Sequence, residues 1–156
     1  VGISKQILLN ADTFVGTWVA GQLGNGAVYR PADGDKAIGL IDPDKGLIAG
    51  VLYQNFNGVN ISAHIAAVPG ANWLTRNFLW VMFDYPFNQL GVKRITGVVP
   101  ASNLAARRFD EHLGFVHEAT LKDALPDGDL LLYVMWRENC RWLALKEKVH
   151  GIGNCR

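Results

Sequence analysis

The sequence predicts an α/β (α+β) domain: a mixed, mostly antiparallel sheet with one central parallel βαβ unit and helices packed on it. Three observations carry this. The chain has 156 residues, 49% hydrophobic and 19% charged, the size and composition of one domain with one core spanning residues 1–156. Three β-like runs follow one another across short turn signals, which makes an antiparallel meander. A strongly apolar helix pattern then separates the third run from a fourth, so those two strands are expected to be parallel with a right-handed crossover.

The run from Lys5 to Asn10 reads as a short first strand. Asp12 is placed to cap a helix carrying Phe14, Trp18 and Leu23, which stops at Gly24-Asn25-Gly26. Tyr29 to Gly34 is rich in turn formers. The meander runs from Lys36 to Ile41, Gly46 to Gln54 and Val59 to Val68. Asp42-Pro43-Asp44-Lys45-Gly46 separates the first two strands, and Asn57-Gly58 the second and third. Pro69-Gly70 ends the meander.

From Thr75 to Phe83 apolar residues cover most faces, as in a helix buried against a sheet. Pro86 should kink or restart that helix because it has no N–H to donate, and Leu90-Gly91 ends it. Arg94 to Val99 is the strand that closes the βαβ unit. Ser102 or Asn103 caps the next helix, with Ala105, Phe109 and Leu113 at i, i+4 and i+8 and Gly114 as its stop. Phe115 to Lys122 and Asp129 to Trp136 are two strands joined at Pro126-Asp127-Gly128. The tail from Glu138 to Val149 is expected to form a short amphipathic helix. The order is β-α-β-β-β-α-β-α-β-β.

Composition narrows the function classes. The net charge of +1 gives no broad field toward nucleic acid or an anionic membrane. Cys140 and Cys155 form neither a metal-ligand spacing nor a disulfide framework. No apolar run reaches the roughly 20 residues needed to span a bilayer, and the N-terminus lacks the pattern of a signal peptide. The expectation is a soluble cytoplasmic protein that binds neither nucleic acid, membrane nor metal.

The segment from Val92 to Glu118 reads Val-Lys-Arg-Ile-Thr-Gly-Val-Val-Pro-Ala-Ser-Asn-Leu-Ala-Ala-Arg-Arg-Phe-Asp-Glu-His-Leu-Gly-Phe-Val-His-Glu. It resembles the second half of the GNAT N-acetyltransferases: a strand, an Asn-x-x-Ala helix, then Leu-Gly-Phe with a nearby Glu. The stretch from Gly128 through Tyr133-Val134-Met135 to Cys140-Arg141-Trp142-Leu143 resembles the subgroup of ribosomal-protein N-terminal acetyltransferases. Phe83-Asp84-Tyr85-Pro86-Phe87-Asn88-Gln89-Leu90-Gly91 is similar to phage-encoded members. The resemblance implies a GNAT-like sheet with helices on both faces, acetyl-CoA as cofactor, and direct attack of a primary amine on the thioester without an acyl-enzyme. The family's glycine-rich pyrophosphate loop corresponds here to Pro69-Gly70-Ala71-Asn72-Trp73-Leu74-Thr75-Arg76, which holds one glycine. A helix N-terminus can aim N–H groups at phosphate without the others, and Arg76 adds charge.

Amine acetylation needs a base, because a lysine-like amine has a pKa of about 10.4, and a donor for the developing oxyanion. His64, on the strand that faces the thioester in this family, is the candidate base; the competing reading is a histidine held within the sheet or shaping the acceptor pocket. By resemblance, backbone N–H groups near Ala67 and Val68 contact the oxyanion and the pantetheine. Asn103 matches the family asparagine that touches the pantetheine arm, a role compatible with capping its helix. Trp73, Leu74, Thr75 and Arg76 form the phosphate-side loop, with Trp73 equally readable as a core anchor. Arg107 is a candidate for the coenzyme's terminal phosphate. Asp110 occupies the place of the tyrosine that acts as acid in many members; an aspartate is expected to be ionised at pH 7 and a poor acid, which leaves water or Ser102. Nothing around Cys140 activates it as a nucleophile.

Two other readings stay open: the same enzyme with a small-molecule amine in place of a protein or peptide, and a non-catalytic GNAT-like domain that binds acyl-CoA or a protein partner. The loops near residues 24–34 and 125–128 are the acceptor candidates and carry no clear charge code. Monomer and homodimer are both compatible with the chain.

Overall fold

The computed structural model describes residues 4–24 and 26–145. Its centre is a seven-stranded sheet. In chain order the strands are β1 (Gln6–Leu8), β2 (Lys36–Asp42), β3 (Gly46–Gln54), β4 (Asn60–Ala67), β5 (Arg94–Pro100), β6 (Val116–Leu125) and β7 (Gly128–Trp136). Across the sheet they run β1-β2-β3-β4-β5-β7-β6, all neighbours antiparallel except β4 and β5. The helices are α1 (Asp12–Leu23), α2 (Arg76–Asp84) and α3 (Leu104–Leu113). This is the mixed α/β architecture with a parallel βαβ unit that the sequence predicts.

Among the described residues, helix α1 is the one helix on its face of the sheet. Val15, Gly16, Val19 and Ala20 are its buried residues, and Phe14 is 60% exposed, so the inward face is turned from the one expected. The reason is steric. A Cβ on Gly50 would stand 2.7 Å from Val19 Cγ2, and one on Gly39 would stand 2.9 Å from Val15 Cγ2. Two strand glycines thus leave shallow seats that branched valines fill and a phenylalanine ring would not. Asp12 is not the cap either. Ala11 precedes the helix without a side-chain cap, and the Asp12 carboxylate accepts from Ala37 N at 2.9 Å and pairs with Lys36 at 3.4 Å. Gly24 does end the helix in a left-handed conformation, its N–H donating to Ala20 O.

The opposite face carries α2 and α3 over the larger core. Thr75 caps α2 by accepting from Phe78 N, as its sequence position allows. Tyr53 on β3 reaches this layer and donates to Met82 O at 2.6 Å. Pro86 neither breaks nor restarts the helix. It sits in a wide π turn over Tyr85–Gln89, where Leu90 N donates to Tyr85 O across five residues. Buried Asp84 accepts from Asn88 Nδ2 and Gln89 Nε2 and so stabilises the wider turn.

Asn103 caps α3, accepting from Ala106 N at 3.1 Å. Leu113 is buried and Phe109 half-buried, but Ala105 is exposed and Ala106 takes the inward position. Asn57 does not make a two-residue hairpin. Its Oδ1 accepts from Val59 N and Asn60 N, holding a longer loop. After β7 the chain makes short 3-10 turns at Arg137–Asn139 and Arg141–Ala144 in place of the first part of the expected tail helix; the remainder of that helix, from residue 146, and Cys155 lie outside the described residues. No described helix is long and apolar enough to cross a membrane.

Candidate active site

The feature that makes a site is the short contact between the parallel strands. β4 and β5 pair only at Asn60↔Arg94, Ile61↔Ile95 and Ser62↔Thr96. Beyond Ser62 and Thr96 they diverge, while each keeps its antiparallel partner, β3 and β7. The wedge between them opens a cavity of about 120 Å³ lined by residues of β4, β5, α3 and the end of α1.

The register decides what the strands present to this wedge. Val68 N donates to Ile48 O at 2.8 Å, which makes Val68 and Ile48 a hydrogen-bonded pair across β3 and β4. Antiparallel pairs alternate, so the backbone groups of Ala63, Ile65 and Ala67 point away from β3; the Ala63 N–H completes the last pair with β5, and the groups beyond it face the space that β5 has vacated. The expectation for the two backbone N–H candidates therefore divides. Ala67 directs its N–H toward the gap, whereas the Val68 N–H is consumed by the sheet and is not available to a ligand.

His64 pairs with Leu52, and Leu52 packs with Val15 and Val19, so His64 projects on the α1 side of the sheet. It lines the cavity. Burial lowers its pKa from the ordinary histidine value, and the carboxylate of Asp35 opposes that shift. The imidazole is therefore neutral at neutral pH and able to accept a proton. Asp35 is itself buried, and its Oδ2 accepts from Arg30 N at 2.8 Å and Gln54 Nε2 at 2.6 Å. These bonds fasten the loop that follows α1 to β3. Tyr29 of the same loop lies against Gly16, where a Cβ would come within 2.5 Å of its ring. The candidate acceptor loop is thus anchored at both Tyr29 and Asp35.

The other side of the wedge belongs to α3. Asn103, Ala106, Phe109 and Asp110 line the cavity opposite Gly97, Val98 and Val99. Asn103 spends its carbonyl oxygen on the helix cap, which leaves the amide N–H groups as the donors it can offer a ligand. A Cβ on Gly97 would lie 3.9 Å from Asp110 Oδ2, so the carboxyl stands directly over that glycine. Asp110 is not the ionised residue its type suggests. Burial, helped by neighbouring Glu111, pushes its pKa up to about 7.

The remaining candidates do not line this cavity. Trp73 packs against Phe78 of α2 and Phe109 of α3, at 6.0 and 5.4 Å between centroids, and so joins the two helices as a core anchor. Leu74 is partly exposed, Thr75 is the cap of α2, and Arg76 is exposed at the first position of that helix. Lys5 reaches the same loop, donating to Asn72 O at 2.7 Å. Arg107 does not extend toward a distant phosphate. Its guanidinium turns back to Ala101 O at 3.0 Å and closes the entry to α3. Burial lifts the Cys140 thiol to about 11, far from a reactive thiolate. Among the described residues no group of His, Cys, Asp and Glu is arranged to hold a metal.

Sequence reasoning missed three members of this arrangement. Gly97 and Leu23 contribute space and apolar wall, which residue type alone does not advertise. Asp35 sits far from His64 in sequence, and only the return of the loop to β3 brings its charge near.

No family model matches the chain, and no curated protein sequence matches it. Solved structures do match its fold. Spermidine N-acetyltransferase from Vibrio cholerae in complex with CoA and spermine superposes with a TM-score of 0.65 at 17% identity, covering 87% of this chain and 96% of that one. The spermidine/spermine N-acetyltransferase SpeG from the same organism with manganese ions gives 0.64 at 18% identity, covering 85% and 91%. The dodecameric form in an intermediate state gives 0.58 at 20%, covering 76% and 70%. At these identities the likeness is one of fold: the chain shares the GNAT architecture of these proteins.

Proposed function

We propose that the protein is a GNAT-type N-acetyltransferase that moves an acetyl group from acetyl-CoA to a primary amine by direct attack, with His64 as the base. The observation that carries this is the wedge itself. The carbonyl of Ala63 and the backbone groups of Ile65 and Ala67 are directed into it beyond the last β4–β5 pair, which suits an extended amide-bearing arm lying beside β4 as an extra strand. The amide of Asn103 meets the same arm from α3. The thioester then sits where His64 faces it from the α1 side, and the acceptor enters past the loop fixed by Asp35. With no acyl-enzyme, the enzyme's contribution is positioning, removal of the amine proton and donation to the oxyanion.

The phosphates of the coenzyme are assigned to the N-terminus of α2, with Arg76 on its first turn and Lys5 bonded to the preceding loop as cations and the N–H groups of the first turn as donors. A small polyamine is one acceptor in keeping with the fold neighbours, one of which carries spermine, and a protein or peptide amine is the other. Kinship to ribosomal-protein or phage-encoded members, cytoplasmic location and a monomeric or homodimeric state belong to the same proposal.

The test has two stages. Acetyl-CoA should raise the melting temperature, since a ligand bound to the native state alone stabilises it. Free thiol should then appear when amines are added. Binding without turnover on any amine would favour a non-catalytic acyl-CoA-binding domain, and no binding would remove the reading altogether.

A further inference from the structure

We propose that Asp110 is the general acid of the transfer, delivering its proton to the coenzyme A sulfur as the carbon–sulfur bond breaks. This rests on the acetyl-transfer reading and adds to it the residue that completes the proton balance.

The argument begins with placement. His64 and Asp110 line one cavity from opposite faces of the sheet, His64 on β4 toward α1 and Asp110 on α3 above Gly97. A thioester held in the wedge has the acceptor on one side and α3 on the other, so base and acid flank the reacting carbonyl. The Asp110 carboxyl makes no hydrogen bond or ion pair among the described residues. It is therefore free to bond to a ligand in the cavity.

The surroundings explain why this carboxyl can hold a proton. Glu111 follows it on α3 and repels its charge. Arg107, one turn earlier, is committed to Ala101 O. Tyr133 of β7 donates to Glu111 Oε1 at 3.0 Å rather than to Asp110. From β5 the uncharged residues Gly97, Val98, Val99 and Pro100 line the cavity, Phe115 joins them, and His64 across the wedge is held neutral by burial. Among the described residues no cation stabilises the carboxylate, and burial leaves it half protonated near pH 7. That matches the task of an acid that must give up a proton to a thiolate of pKa about 8.5 in every turnover.

The steps balance. The amine nitrogen bonds to the thioester carbon, and its proton passes to His64 directly or through one water. The tetrahedral intermediate collapses, the carbon–sulfur bond breaks, and the electron pair leaves on sulfur. Asp110 gives its proton to that sulfur and becomes a carboxylate. Solvent removes the proton from His64 and restores the one on Asp110.

The experiment pairs Asp110→Asn with the unaltered protein, using acetyl-CoA and spermine as probes. Acetyl transfer should fall on the order of 100-fold while the acetyl-CoA Kd stays within about twofold. The alkaline limb of the unaltered enzyme, centred near pH 7, should vanish in the variant. Carbon-13 NMR of aspartate-labelled protein reads the group without turnover: the carboxyl signal lost in Asp110→Asn should titrate near 7 in the unaltered chain. A carboxyl titrating in the ordinary range near 4 overturns the assignment. So does a variant that keeps both rate and alkaline limb, and that result leaves the acetyltransferase reading standing. Failure of the unaltered protein to bind acetyl-CoA, or to acetylate spermine or any other amine offered, overturns that reading and the acid with it.

Discussion

Ser62 and Thr96 are the last residues at which β4 and β5 pair, and everything proposed for the site depends on the strands parting after them. A side chain that refills the wedge should therefore act on the cofactor alone. Gly97 is the place to add one, because its backbone is not in the left-handed region and a Cβ would meet neighbours only at 3.8 Å or beyond. Gly97→Ala is expected to fold and bind normally. Gly97→Leu is expected to fold but to lose most of the acetyl-CoA melting shift, read in one thermal titration.

His64 should separate catalysis from binding. His64→Ala is expected to lower kcat on the order of 100-fold with little change in acetyl-CoA Kd. Equal losses in both would remove it as the base. The sign of the pH dependence follows from its lowered pKa: neutral imidazole is the active form, so rate is lost as pH falls, with the midpoint below 6.5. Asp35→Asn removes the opposing charge and should move that acid limb lower still.

Asn103 has two duties that one substitution can separate. Asn103→Asp keeps an oxygen for the Ala106 N–H, so stability should change little, while the amide donors are lost. Acetyl-CoA should bind at least about tenfold more weakly, the loss of roughly 1.4 kcal/mol. Asn103→Ala should show that weakening plus a drop in stability of about 1 kcal/mol. An unchanged Kd in both variants would leave Asn103 as a cap only.

Asp110 should also be visible in stability. Its folded pKa of about 7 lies above the ordinary 3.8, so the folded state binds the proton more tightly than the unfolded one. Its presence costs nothing below about pH 4 and destabilises progressively as pH rises through 7. Asp110→Asn should accordingly match the unaltered protein at pH 4 and exceed it above pH 7, by on the order of 2–4 kcal/mol. Denaturant titrations at both pH values check the crossing.

Much of the architecture could be read before the structure. β3 runs over Gly46–Gln54 as expected, because Pro43 and Gly46 bound it on one side and polar Asn55 on the other. The helix between β4 and β5 was visible from its dense apolar run, and Gly24 and Gly114 both end helices in the left-handed conformation. Strand membership alone put His64 on β4. What could not be read are relations between distant segments. The π turn at Pro86 depends on Asp84 gathering Asn88 and Gln89. The inward turn of Val15 and Val19 depends on glycines across a strand pair. The occupied N–H of Val68 follows from register, and the raised pKa of Asp110 from what surrounds it, neither of which is a property of residue type.

The glycines beneath α1 bear on how this scaffold can diversify. Gly39 and Gly50 let valine methyls settle almost on the strand backbone, a fit with no rotamer to absorb error. Enlarging either would lift the whole helix and carry Leu23 away from the cavity mouth. On the acceptor assignment proposed above, amine preference can therefore change cheaply at the exposed positions of the following loop, such as Val28 and Arg30, while Ala27, Tyr29 and Asp35 hold it to a floor that cannot shift. Libraries aimed at new amines should be confined there.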